Sequence, residues 1–280
     1  MKIETKCLHE GYKPKNGEPV ALPIYQSTTY RYDNTDEIGK LFTPVLCRPI
    51  EFGADIVVHS TTKYMDGHAV QIGGVIVDSG NFDWTNGKFP EFTQPDESYH
   101  GIVYTEKFGK AAYITKARVQ LMRDLGMYPS AQAAFLLNLG LETLPVRIEK
   151  HCRNAEKIAE YLNSHEKIEF VNYPTLSDNK YYDIAKKYLP NGCSGVVSFS
   201  IKGSREDAIR FMDSLKLCEN VVHVADIRTC VLHPASATHR QLNDEQLVAA
   251  GITPGLVRLS VGLENIDDII GDVKQALEQV

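Results

Sequence analysis

No apolar run in this 280-residue chain approaches the roughly 20 residues that a membrane-spanning helix needs. Basic residues are not in excess: 30 Lys and Arg stand against 36 Asp and Glu, for a formal charge of −6. That balance gives no electrostatic footprint for nucleic acid. The start, Met1-Lys2-Ile3-Glu4-Thr5-Lys6, lacks the apolar stretch of a signal peptide, so the cytoplasm is the expected location. Six cysteines, at 7, 47, 152, 193, 218 and 230, include no Cys-x-x-Cys pair and no zinc spacing with histidine. Free thiols are therefore expected rather than a disulfide framework. No repeat and no low-complexity tract is present. What remains is an ordinary globular composition, 43 % apolar and 24 % charged.

The C-terminal half has clear periodicity. After the apolar stretch Ala131 to Leu141, Pro145 is expected to open a long charged helix, since proline fits a first helical turn. Strands are expected at Ile168 to Asn172, Gly195 to Ile201 and Leu256 to Val261. Helices are expected over Ser204 to Leu217 and Asn265 to Glu278, with Ser204 and Asn265 as N-caps. This alternation predicts an α/β or α+β domain from about 131 to 280. The N-terminal half offers only two good strands, Ile56 to His59 and Gly74 to Val77, then an aromatic, Gly- and Pro-bearing segment from Asp78 to Tyr104 expected to be an ordered loop or a set of short turns. Two strands are too few for an independent α/β sheet.

Three stretches carry candidate chemistry. Ser60-Thr61-Thr62-Lys63-Tyr64-Met65-Asp66-Gly67-His68 follows a strand directly, and hydroxyls beside an amine suit an anionic ligand and imine chemistry. A solvated surface lysine is the alternative. Leu256-Val257-Arg258-Leu259-Ser260 sets an arginine inside an apolar strand, suited to a substrate carboxylate if it faces a cleft, or else to an internal salt bridge or an edge. His233 to His239 could line a pocket, but its two histidines are too few for a metal site, and a self-bonded loop is the alternative.

Together these motifs resemble the Cys/Met metabolism family of pyridoxal-phosphate (PLP) enzymes. Ser60 to His68 with Gly73-Gly74 is similar to its lysine motif, and Pro23 to Tyr30 to its opening motif. His233 to His239 and Leu256 to Glu264 are similar to its late motifs, in the same order. The O-acetylhomoserine sulfhydrylase subgroup matches best, through Asn81 to Trp84, Ser98 to Gly101, Ala112 to Arg118 and Gly140 to Arg147. The resemblance implies a fold-type I PLP-dependent transferase of α/β class. It also implies γ-replacement on O-acetylhomoserine with sulfide or methanethiol, giving homocysteine or methionine, in a homotetramer. A cystathionine γ-synthase or γ-lyase activity is the runner-up within the family. By position, Lys63 matches the lysine that bonds to PLP, Ser60 and Thr62 the hydroxyls at its phosphate, and Arg258 the arginine at the substrate carboxylate.

Two departures stand out. Val222 to Thr229 differs from the Asn-Val-Gly-Asp-like run of the family, and no role carries over to His223. After Phe42 a long family block is missing, and the sequence resumes at Thr43. The resemblance places in that block the phosphate-binding turn, the aromatic that stacks on the ring, a Tyr-x-Arg that reaches a neighbour's phosphate and the aspartate at the ring nitrogen. The expected organisation is therefore an N-terminal arm over 1–42, a remnant of the PLP-binding domain over 43–130 and a C-terminal domain over 131–280. Reduced turnover, or a catalytically impaired subunit, is the expected consequence.

Overall fold

The structure, a computed structural model, describes residues 45–280. The opening motif Pro23 to Tyr30 and the Phe42/Thr43 seam lie outside them. Before residue 131 the described strands are β1 (Ile56–Ser60) and β2 (Gly74–Asp78), which pair antiparallel with each other. The segment after β2 folds as short turns and helical pieces, including Pro90–Thr93, Tyr104–Phe108 and Ala112–Lys116, as its composition predicts. An aromatic cluster holds these pieces together. Trp84 lies parallel to Tyr113 with centroids 5.1 Å apart, and Phe92 and Tyr104 are buried beside them. Lys116 pairs with Asp96 at 2.6 Å and lies 4.4 Å from the centre of the Tyr104 ring.

Helix α1 runs from Ala131 to Asn163. It corrects the expectation that Pro145 starts a helix. Ser130 is the N-cap, its Oγ accepting from Ala133 N, and Pro145 lies mid-helix. A mid-helix proline forfeits one backbone hydrogen bond. Packing on both sides offsets the loss: Leu144, Ile148 and Cys152 cluster with Met65, while Ala155, Ile158, Ala159 and Leu162 enter the main core.

That core belongs to a five-stranded sheet of order β3-β4-β7-β6-β5, comprising β3 (Ile168–Asn172), β4 (Val196–Ile201), β5 (Glu219–Asn220), β6 (Cys230–Leu232) and β7 (Leu256–Ser260). Only β5 and β6 pair in parallel; the other neighbours are antiparallel. The remaining helices are α2 (Tyr182–Tyr188), α3 (Arg205–Ser214), α4 (Asp244–Ala249) and α5 (Ile266–Leu277). Ser204 caps α3 in a reciprocal capping box with Asp207, and Asn265 caps α5. Phe211, Ile269, Val273 and Leu277 from α3 and α5 bury against Val197, Phe199, Val257 and Leu259. Each such side chain stabilises the fold by about 1.5–3 kcal/mol. Because strand residues alternate faces, Arg258 lies on the face opposite Val257 and Leu259, flanked by Ser198 on β4 and Leu232 on β6. The five described cysteines are free thiols. Among the described residues no helix is long and apolar enough to cross a membrane.

Candidate active site

Strand β1 ends at Ser60 and passes straight into a wide turn. Thr61 N donates to Gly73 O, Asp66 N to Thr61 O and Gly67 N to Lys63 O, at 2.9, 3.1 and 2.8 Å. The segment after the turn thus folds back to hold its start. Gln71 Nε2 donates to Thr61 O, and Thr62 Oγ1 accepts from Gly73 N at 3.0 Å. Buried Asp66 accepts from Val70 N through Oδ2 and leaves Oδ1 without a partner. Lys63 is half-buried on this turn, and no carboxylate among the described residues forms an ion pair with it. Ser60 is exposed, and its hydroxyl makes no cap bond to the turn.

Arg258 approaches from β7. Its Nη2 donates to Val222 O and His223 O at 2.8 and 3.2 Å, while its buried Nε has no partner. No acidic side chain pairs with it among the described residues. Burial pushes the guanidinium below its ordinary value. A desolvated cation satisfied only by carbonyl dipoles has the chemistry to receive a carboxylate.

The loop 221–229 links the two cations. Ile227 N donates to Gly67 O at 2.8 Å, and Leu263 N donates to Ile227 O at 2.7 Å, tying the lysine turn to the end of β7. Ala225 N donates to Ser260 Oγ, and Asp226 grips Arg228. His223 is in reach of both cations. Its carbonyl accepts from Arg258, and burial followed by the nearby Lys63 charge pushes its imidazole below the ordinary value. Its Nε2 is buried without a partner. The sequence singled out this loop as a departure but gave His223 no place; its approach to Arg258 and Lys63 follows from pairings that no local pattern encodes. On the far side of the turn, Tyr64 OH accepts from Gly195 N at 2.9 Å.

The other candidate motif is a self-bonded loop. His233 sits between Ser236 Oγ and Pro254 O at 2.9 and 2.7 Å, and His239 pairs with Thr238. Among the described residues no cluster of His, Cys, Asp and Glu is arranged to hold a metal.

The lysine turn fits part of PLP. Lys63 offers an amine without an acidic partner, Ser60 a free hydroxyl and Thr62 a hydroxyl already shared with Gly73. The unpartnered Nε2 of His223 and Nε of Arg258 are where an anionic ligand would restore hydrogen bonding.

An amine-bearing turn after a strand, linked through one loop to an arginine on a neighbouring sheet, suits an α/β enzyme that handles amino acids through a carbonyl cofactor. The chain belongs to the Cys/Met metabolism PLP-dependent enzyme family, whose model matches residues 39–278. It is 51 % identical over 247 residues to an O-acetyl-L-homoserine sulfhydrylase of Leptospira meyeri, covering 85 % of this chain and 56 % of that protein. It is 45 % identical over 278 residues to a homocysteine/cysteine synthase of Saccharomyces cerevisiae, covering 95 % of this chain and 60 % of that one. A solved structure from Campylobacter jejuni, described as an O-acetylhomoserine (thiol)-lyase with a pyridoxyl-lysine monophosphate, superposes with TM-score 0.78 at 43 % identity, covering 83 % of this chain and 56 % of that chain. The chain therefore spans little more than half the length of the curated relatives it matches.

Proposed function

We propose that this chain carries the lysine and carboxylate-binding parts of a γ-replacement site. The substrates are O-acetylhomoserine and sulfide or methanethiol, and the products are homocysteine or methionine with acetate. The observation that carries the reading is that two cations, Arg258 by hydrogen bond and Lys63 by its charge, both act on His223, each without an acidic partner among the described residues. The names of the relatives point the same way.

When bound, PLP supplies an aldehyde for the substrate amine and an electron-withdrawing ring. Lys63 would hold the aldehyde, and Ser60 and Thr62 the phosphate. Arg258 binds the substrate carboxylate and orients Cα toward Lys63. Once the substrate amine takes its place at the aldehyde, Lys63 Nζ would move the Cα proton, pass it on, then move a Cβ proton, and return one proton to each carbon in the product, so that the net change is acetate replaced by the sulfur nucleophile at Cγ. The domain units 1–42, 43–130 and 131–280, a homotetrameric assembly and a cytoplasmic location belong to the same proposal.

A catalytically impaired form is the second reading. It is favoured by the two-stranded ladder between residues 45 and 130 and by the 56 % coverage of the Leptospira and Campylobacter relatives. One experiment tests both. The 280-residue chain is incubated with PLP and divided: one portion is assayed unreduced for homocysteine formation, and the other is reduced with borohydride and mapped by mass spectrometry. A pyridoxyl group on Lys63, absent in Lys63→Ala, supports the site. A labelled Lys63 with no turnover selects the impaired form, and an unlabelled Lys63 overturns the site assignment.

A further inference from the structure

Arg147 is 5 % exposed on α1, directly behind the lysine turn. Its Nη2 donates to Gly140 O at 2.6 Å and reaches Met65 O at 3.4 Å, and its Nε donates to Thr143 Oγ1 at 3.0 Å. Its Nη1 is buried without a partner. No carboxylate forms an ion pair with it among the described residues, although the Asp66 charge partly counters the effect of burial on it. Burying a guanidinium this way is expensive, and apolar packing by Leu144 and Ile148 against Met65 would dock the helix without it.

Two glycines make room for this contact. A Cβ on Gly140 would collide with Met65 O and come within 2.6 Å of Asp66 O, so α1 and the turn touch backbone to backbone. A Cβ on Gly67 would collide with the Arg147 guanidinium, and Gly67 holds a positive φ of 75°. Gly67 in turn donates to Lys63 O and accepts from Ile227 N. A path thus runs by hydrogen bond from Arg147 to Met65, along the chain to Gly67, and by hydrogen bond from there to Lys63 on one side and to the His223 loop on the other. Gly140, Thr143 and Arg147 fall on one helix face, within the stretch of sequence that resembles the sulfhydrylase subgroup.

We infer that Arg147 is a positioning residue: its fork registers the Lys63 turn on α1, which sets where the amine stands relative to loop 221–229. The inference rests on the Lys63 reading above for its functional meaning, but not for its geometry.

The test uses the full 280-residue chain and Arg147→Met, Arg147→Lys and Gly140→Ala, the last of which displaces the turn while leaving Arg147 in place. Each is treated with PLP and borohydride, and labelling at Lys63 is divided by labelling at exposed Lys274. Amide hydrogen exchange is measured on the cofactor-free proteins. In folded Arg147→Met we expect the Lys63 to Lys274 ratio to drop at least fivefold. Exchange at Asp66 and Gly67 should quicken at least tenfold, with β3 and β4 amides unchanged. Gly140→Ala should reproduce both effects, and Arg147→Lys should restore less than half of the labelling. A parent-like ratio and parent-like exchange in any folded variant overturn the inference. If Lys63 is unlabelled in the parent, the site reading fails, and exchange at Asp66 and Gly67 alone decides the role of Arg147. Loss of protection across β3 and β4 in all three variants makes Arg147 a global stabiliser and also overturns it.

Discussion

The guanidinium of Arg258 and the backbone carbonyl of His223 lie 3.2 Å apart, so the loop and strand β7 share one hydrogen-bonded corner. On the proposed reading, removing the guanidinium deprives an incoming carboxylate of its charged partner. Arg258→Ala should weaken O-acetylhomoserine binding by about 2–5 kcal/mol. Pyridoxyl labelling of Lys63 should stay at the parent level. Titration of both proteins with substrate after PLP loading measures the difference, and a parallel loss of labelling would make Arg258 structural instead.

Ala225 adopts φ +67° while 1 % exposed. A left-handed alanine costs about 1–2 kcal/mol, and a glycine there would give back about 0.4–1 kcal/mol in unfolded-chain entropy. Ala225→Gly should therefore raise stability by about 0.5–1 kcal/mol, or about 2 °C in Tm. A fall in Tm on thermal scanning would mean that the buried methyl outweighs the backbone relief.

His151 donates from Nδ1 to Val261 O at 2.6 Å, and its Nε2 is buried without a partner. Burial, reinforced by Arg147, pushes the imidazole below its ordinary value of about 6.5. The unfolded chain then takes up a proton before the folded one as pH falls. Stability from the neutral ring is complete above about pH 6.5 and is lost below it. Urea midpoints should drop between pH 7.5 and pH 5, and His151→Gln should flatten that slope. An unchanged slope in the variant would assign the effect to other groups.

Between the aromatic segment and α1, Gly126 to Ser130 is exposed and irregular. Limited proteolysis should make its first cut among the described residues between 123 and 130, leaving a resistant fragment that contains α1 and the five-stranded sheet. Mass spectrometry of the fragments checks this. Early cutting inside 168–260 would show that the sheet depends on residues 45–130.

Much of this architecture is legible in the residues themselves. The five longer strands announce themselves by apolar runs, and Ser204 and Asn265 mark their helices by cap chemistry. Strands β5 and β6 have two and three residues, too few for alternation to register. Pro145 misleads because a proline inside a helix and one at its start look alike locally; only the packing of Leu144 and Ile148 on Met65 separates them. At the site, Lys63 and Arg258 stand out by their neighbours. Arg147 reads as one more solvated charge on a polar helix, and its burial emerges only when Gly140 and Gly67 let two backbones meet.

Strand β7 is the last strand in the chain, yet it occupies the middle of its sheet, between β4 and β6. During synthesis at about 5–20 residues per second, β3 and β4 can pair early. The route to β6 and β5 opens only when residues 256–260 have emerged. A stop codon shortly before Leu256 would split the sheet in two and delete Arg258 with it. Closure of the sheet and the proposed carboxylate contact thus depend on the same five residues.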